Sequence, residues 1–473
     1  MKKTLKIIKW TAITVVAAFV VASAYVGMNS FDCEPPDISR FINPMEVPTD
    51  ADNVYCALVA ATNVVSEKTG KLVLDGIFEN YKEAFERYRQ HKINKSNKGM
   101  TTEERDLILS EATKPLALFH EAAQRKTWYA FDHATGKRLF FPAITRLFQL
   151  CRLAELEAMR RLERGETGAA TGVVRDMLLL ARKIENDSES AVRWLVANGC
   201  LLHYADNIAM KLVQSGKATD EDLVRLQDAL RQFELPNRHE RAQRMLNNDF
   251  TVCFGQMMEQ VDTSEISTFL KNRDNSTALD AWVARIVPLI RPYAFHRNRS
   301  WTTYANLLDK MKERFRLGYD KAEWEKLEEE ARVAYGATTG WRFGPNFAGK
   351  KMIEVTMPEW QGIAISIAKS SFQHATAETV VAAARFKRKA GAYPKALTEL
   401  VPEFMPAVPE DPYASGKELK YDAARGIIWT VGKDGTFNGE PVKPNADGKY
   451  GRHGKYGKEN HSYVRNIDGT PAK

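Results

Sequence analysis

The chain is expected to be mainly α-helical, with a membrane-crossing helix at its start and a short antiparallel sheet near its end. Three observations carry this. Apolar residues recur at helical spacing from Ala51 to about Lys389. Trp10–Met28, WTAITVVAAFVVASAYVGM, runs 19 residues without a charge. Late in the chain, Ala407–Tyr421, AVPEDPYASGKELKY, interrupts the helical pattern with prolines and leads into short β-rich runs.

Residues 1–30 read as a membrane anchor. As a helix, residues 10–28 span roughly 28 Å, close to the hydrocarbon thickness of a bilayer. Lys2, Lys3, Lys6 and Lys9 precede the apolar run, and Asp32, Glu34 and Asp37 follow it. Positive-inside bias then places Met1 in the cytoplasm and the bulk of the chain outside, a single pass through a bacterial inner membrane with a periplasmic body. The alternative is a cleaved signal, with Thr11–Val21 as its apolar region and Ala22-Ser23-Ala24 as its cleavage site, which yields a secreted protein. No lipobox precedes Cys33. Residues 31–52, with Pro35, Pro36, Pro44 and Pro48, read as an extended linker.

Residues 53–374 read as an α-helical domain. Tyr55, Leu58, Thr62 and Val65 recur at helical spacing, as do Ile77, Tyr81, Phe85 and Tyr88. Thr101 with Glu104 makes a capping box, and Pro115 suits a helix opening after Thr113. A helix from Pro142 to near Gly165, then one capped by Thr167, form an αα-hairpin. Gly165 and Ala170 resemble the turn and packing positions of a tetratricopeptide unit, but no second copy follows about 34 residues on. Further helices start at Thr219, at Ser300 and at Asp320 with Glu323. Their aromatic stripes read as core.

Charge and cysteines narrow the function classes. The net charge of +8 is concentrated at the ends: four lysines in Met1–Lys9, and seven Lys/Arg against three acidic residues in Pro441–Lys473. The remainder is balanced, so no nucleic-acid partner is expected. Cys33, Cys56, Cys151, Cys200 and Cys253 include no CxxC pair; Cys33 with Cys56 is the disulfide worth testing. GPNFAGKK, Gly344–Lys351, matches GxxxxGK but has Lys351 where a magnesium-binding hydroxyl belongs, and no buried strand precedes it. It reads as a solvated loop, and no nucleotide or other cofactor is assigned. Neither HExxH, HxxxH nor GxSxG occurs, and His120, His203, His239, His296 and His374 are isolated in sequence. No catalytic residue is assigned.

Residues 375–440 read as an α+β unit. Gly391 suits a left-handed helix close, Tyr393-Pro394 turns the chain, and Pro402, Pro406, Pro409 and Pro412 hold the following loop. Leu419–Tyr421 and Ile427–Val431 are two strands joined by DAARG, with Leu419, Tyr421, Ile428 or Trp429 as the candidate core residues. Val380, Ala383, Ala384 and Phe386 are expected to face this sheet. The string AAARFKRKAGAYP, LTELVPEFMPAVPEDPY, LKY and IIWTVGKDGTFNG within Ala377–Gly439 resembles the C-terminal part of the type II secretion major pseudopilin. Met1–Thr14 lacks the prepilin-peptidase site, and over 300 residues separate the apolar segment from this unit, so polymerisation as a pseudopilin is not expected. The combination resembles uncharacterised membrane-anchored proteins of planctomycete-like bacteria. The resemblance implies a calcium loop at Asp434, with Asn438 and Glu440 as further oxygen donors; the alternative is a plain Asp-Gly turn. Residues 441–473 form a basic Gly/Lys/Tyr-rich tail in which HSYVRNI suits a returning strand. The leading functional expectation is an anchored extracytoplasmic interaction or scaffold protein with a partner in the cell envelope, rather than an enzyme. The alternative is an exported hydrolase acting from the helical domain.

Overall fold

A computed structural model describes residues 22–24, 26–28, 30–42, 48–94, 99–132, 137–138, 144–188, 190–233, 235–255, 258, 285, 291–334, 345–356, 360–440 and 463–470. Most of the expected membrane segment lies outside them; Ala22–Ala24 and Val26–Met28 are helical. Among the described residues no helix is long and apolar enough to cross a membrane.

The chain is mainly helical with a small three-stranded antiparallel sheet. It divides into two compact units. One holds residues up to Asn43 with Asn247–Glu313 and Glu323–Trp360; the other holds Pro44–Leu246, Arg314–Ala322 and Gln361–Lys473.

In the larger unit, helices Val54–Thr62, Val73–Asn80, Lys82–Asn94, Thr102–Glu111 and Thr113–Gln124 lead to a long antiparallel pair, Ile144–Glu163 and Thr167–Asp187. The expected capping box is present: Thr101 Oγ1 accepts the Glu104 N–H while Glu104 accepts the Thr101 N–H. Thr219 with Asp222 makes a second box before helix Asp220–Arg231. Thr167 does not cap its helix. It is the first helical residue, and its hydroxyl donates to Asp222 instead, tying two helices together. The core of this unit includes Trp128, Phe119, Leu153, Met177, Leu178 and Phe233.

Helix Trp360–Ala390 is shared by two apolar cores. Ala377 and Val381 belong to the helical core, whereas Phe372, Ala375, Val380, Ala382 and Ala383 belong to a second one with Leu400, Phe404, Met405, Leu419, Ile428 and Ile467. The helix ends as expected at Gly391, whose φ is +82°. Strands Lys420–Asp422, Ile427–Trp429 and Val464–Asn466 form the sheet, with Tyr421 opposite Ile428 and Ile428 opposite Arg465. The returning strand from the tail is therefore present. Adjacent strand residues face opposite sides, so Ile428 takes the core position and Trp429 is only half-buried, stacked beside the Arg425 guanidinium.

The smaller unit corrects two expectations and shows where the start of the linker is held. The linker is docked: Asp32 accepts the N–H groups of Asn298 at 2.7 Å and Arg299 at 2.9 Å, and Phe41 is buried edge-on against Phe250. The helix expected from Ser300 starts at Arg297 because Asp32, distant in sequence, supplies its cap. The GPNFAGKK segment is not a solvated loop. Gly344 lies outside the described residues, but Phe347–Thr356 is a helix with Phe347, Ala348 and Ile353 buried. Asn346, in the left-handed region at φ +59°, accepts the His296 N–H at 2.7 Å and hydrogen-bonds the Ser300 hydroxyl. Gly349 permits this junction: a Cβ there would overlap Ser300 Oγ and Asn346 Oδ1.

Candidate functional site

The one sequence-predicted site residue, Asp434, lies in the loop after Ile427–Trp429. With Val431, Lys433, Phe437, Asn438 and Tyr463 it lines an open, mostly polar cleft of about 190 Å³. Its carboxylate accepts from Lys321 Nζ at 2.9 Å, with both side chains about half exposed. Asn438 Oδ1 accepts the Glu440 N–H at 3.0 Å, and Glu440 accepts from Arg425 at 3.3 Å. Calcium takes six to eight oxygen ligands. Here both carboxylates pair with cations and the amide oxygen accepts an N–H, so each of these three side-chain oxygens already has a protein partner. Among the described residues no group of three or more His, Cys, Asp or Glu is placed to hold a metal.

Asp411, quoted above only as part of the string, organises the base of this loop. It is buried, and its carboxylate accepts the N–H groups of Tyr413 and Val431, each at 2.9 Å, and the Thr430 hydroxyl. A buried carboxylate with three donors fixes the Asp-Pro turn against the strand end. Its sequence signal was the Asp before Pro412, which suits an Asx-type turn.

Two histidines that look isolated in sequence are paired in space. His120 Nδ1 meets Asp176 Oδ2 at 2.9 Å, and its Nε2 meets Glu157 Oε2 at 2.9 Å. Burial would push the imidazole down, but hydrogen bonds to the two carboxylates lift it to about 9. His120 is thus a cation at neutral pH that braces three helices, and it is not a free general base. His374, fully buried, meets Asp206 Oδ1 at 2.7 Å and the Leu230 carbonyl at 3.1 Å. Burial pushes its imidazole down, yet the Asp206 charge and hydrogen bond raise it above the ordinary value.

Next to this lies a buried arginine pair. Glu185 accepts from Arg238 Nη2 at 3.1 Å and from Arg241 Nε at 3.0 Å, with all three side chains almost fully buried. Arg238 also donates to Ser370, Ser371 and the Ile367 carbonyl on the long helix, and to Asn198 in a π-helical turn, Asn198–Leu202. Such pairs hold only when their remaining hydrogen-bonding groups are satisfied, and these partners come from three separate elements. None of these pairings has a local motif, because each partner lies tens to more than a hundred residues away.

Cys33 and Cys56, the pair considered for a disulfide, carry free thiols. Cys33 Sγ lies 3.9 Å from Thr302 Oγ1, and Cys56 Sγ lies 3.6 Å from Asp50 Oδ1.

No family model, curated protein or solved structure matches this chain. The pseudopilin resemblance of Ala377–Gly439 therefore rests on the residues quoted for it.

Proposed function

We propose that this is a membrane-anchored extracytoplasmic scaffold protein that presents its C-terminal sheet and loop to a partner in the cell envelope. One observation carries the reading: the long helix that completes the helical core also seats the sheet. Gln227 Nε2 and Arg231 Nη2 both donate to the Phe404 carbonyl, and Gln214 Nε2 donates to the Gly469 carbonyl. A surface held by such side chains is pre-organised, which lowers the ordering cost of binding. The internal ionisable groups described above serve as braces between helices, in keeping with a mount. The anchor is proposed from residues 10–28 and the lysines before them.

In-cell crosslinking followed by mass spectrometry tests the reading. The expected result is a reproducible envelope protein linked to lysines near the loop, such as Lys433 or Lys420. Crosslinks scattered over the surface with no recurring partner would overturn it. Topology is tested separately. A C-terminal alkaline phosphatase fusion should be active, and N-terminal sequencing should find an intact start; a mature chain beginning at Tyr25 would replace the anchor with a cleaved signal.

A further inference from the structure

The smaller unit begins within a very short reach of the proposed anchor. Val26–Met28 is helical, and the turn closes at Ser30, whose N–H donates to the Gly27 carbonyl at 3.2 Å and whose hydroxyl donates to the Val26 carbonyl at 2.6 Å. Two residues later, Asp32 accepts the N–H groups of Asn298 and Arg299, and Asn298 Nδ2 donates to the Cys33 carbonyl at 2.7 Å. The strap then follows helix Arg297–Leu317 along its length: Cys33 Sγ lies 3.9 Å from Thr302 Oγ1, and Arg40 pairs with Asp309 at 2.9 Å. Two residues reach at most about 7 Å, so the first turn of this helix stays close to the anchor's end.

That end of the unit carries the chemistry of a membrane-contacting surface. Met28 and Phe31, both large and apolar, are 72% and 75% exposed. Arg297 and Arg299 are exposed on the helix start, Arg291 is exposed just upstream, and Arg299 Nη2 donates to the Phe31 carbonyl at 3.5 Å. Of the acids on the strap, Asp32 is taken up by the helix amides, Asp37 accepts the Ser39 N–H farther along, and Glu34 is exposed. Arginine offers phosphate a planar fork of donors, and apolar side chains at a bilayer surface sit at the boundary of headgroups and acyl chains. The headgroup layer is roughly 5–8 Å deep on each side of the hydrocarbon, the same scale as the two-residue tether.

We propose that the Arg297 end of the smaller unit rests on the extracytoplasmic leaflet, with Phe31 in the headgroup layer and Arg297 and Arg299 on phospholipid phosphates. This rests on the reading of residues 10–28 as a retained anchor. The partner is the membrane that the chain itself enters. Covalent continuity keeps the face at a high local concentration of lipid, so modest intrinsic affinity is enough.

The full chain is reconstituted in vesicles of phosphatidylcholine with phosphatidylglycerol. Cys33→Ser/Cys56→Ser/Cys253→Ser removes three native thiols, while Cys151 and Cys200 are buried. In that background Pro292→Cys or Asn306→Cys, both at exposed positions, takes a fluorophore. Asn306 lies about 14 Å along the helix from Arg297. A nitroxide on the lipid headgroup should quench the label at 292 several-fold more than the label at 306. Each basic residue at an anionic surface contributes about fivefold to attachment, so Arg297→Gln/Arg299→Gln should remove most of the difference. Arg297→Lys/Arg299→Lys should keep it, because the charge remains. Equal quenching at the two positions, or quenching unchanged in the Gln pair, would overturn the proposal. Failure of the anchor reading is seen separately, as a chain whose N-terminal sequence begins at Tyr25. That chain is then floated with the same vesicles: flotation lost in the Gln pair upholds the face, and no flotation overturns it.

Discussion

Replacing Gly349 with alanine gives the sharpest test of the smaller unit. A Cβ at this position would overlap Ser300 Oγ and Asn346 Oδ1 and lie 2.9 Å from Asn346 Cγ, closer than real Cβ atoms approach. Asn346 is buried and cannot swing into solvent without releasing the His296 N–H and Ser300. Overpacking a tight site costs about 1–3 kcal/mol, and losing two buried hydrogen bonds adds about 1 kcal/mol each. The expected destabilisation is therefore about 3–5 kcal/mol. Gly172→Ala is the control. That position is helical, its Cβ would meet nothing within 4 Å, and removing the glycine's excess backbone freedom should stabilise by about 0.5–1 kcal/mol. The same substitution thus carries opposite signs at two sites. Urea unfolding followed by circular dichroism reads both. Gly349→Ala unfolding at the wild-type midpoint would mean that the Asn346 junction does not form as described.

Other outcomes follow from the buried pairs and the sheet. His120 has a folded-state pKa of about 9 against an ordinary 6.5, so its stabilisation is complete below 6.5 and disappears as pH rises through about 9. The stability difference between wild type and His120→Gln should shrink across that window; a pH-independent difference in urea midpoint would contradict the clamp. Ile428→Ala should cost about 2–5 kcal/mol as a core truncation. Trp429→Ala should cost less because the indole is only half-buried, and limited proteolysis of residues 407–440 would rank the two; the reverse order would mean the strand presents its other face to the core. Asp434→Ala should change stability by less than about 1 kcal/mol, as expected for an exposed ion pair. Millimolar calcium should leave the melting temperature unchanged if Asp434 serves only its turn and ion pair; a calcium-dependent rise lost in Asp434→Ala would identify a metal site.

What was legible in the sequence was what is local. Thr101 with Glu104 and Thr219 with Asp222 signal their helices within four residues, and Gly391 marks the close of the long helix. Ser300 reads as a helix start from sequence alone, but the helix begins earlier, where Asp32, distant in sequence, accepts the N–H groups of its first turn. GPNFAGKK looked like a breaker, since Gly, Pro and Asn are turn formers. In the fold, Asn346 takes the left-handed turn and Gly349 provides clearance inside a helix. Ile428 and Trp429 are both candidates from sequence, and strand alternation gives the core place to Ile428. The braces on His120, His374 and Glu185 depend on which helices become neighbours, information that no single window contains.

The helix Trp360–Ala390 has a consequence for how this chain can vary. An α-helix turns about 100° per residue. Val380 and Val381 are consecutive, yet one faces the sheet and the other the helical body. Inserting or deleting one residue upstream of them, inside the helix, would rotate every later position and exchange the two surfaces. Ala377, Ala382 and Ala383 leave little side chain with which to absorb such a shift. Length changes can be taken up in the connecting loops, but between Phe372 and Ala383 the spacing itself is under constraint. Related chains, however far their residues have diverged, should keep this helical interval free of gaps.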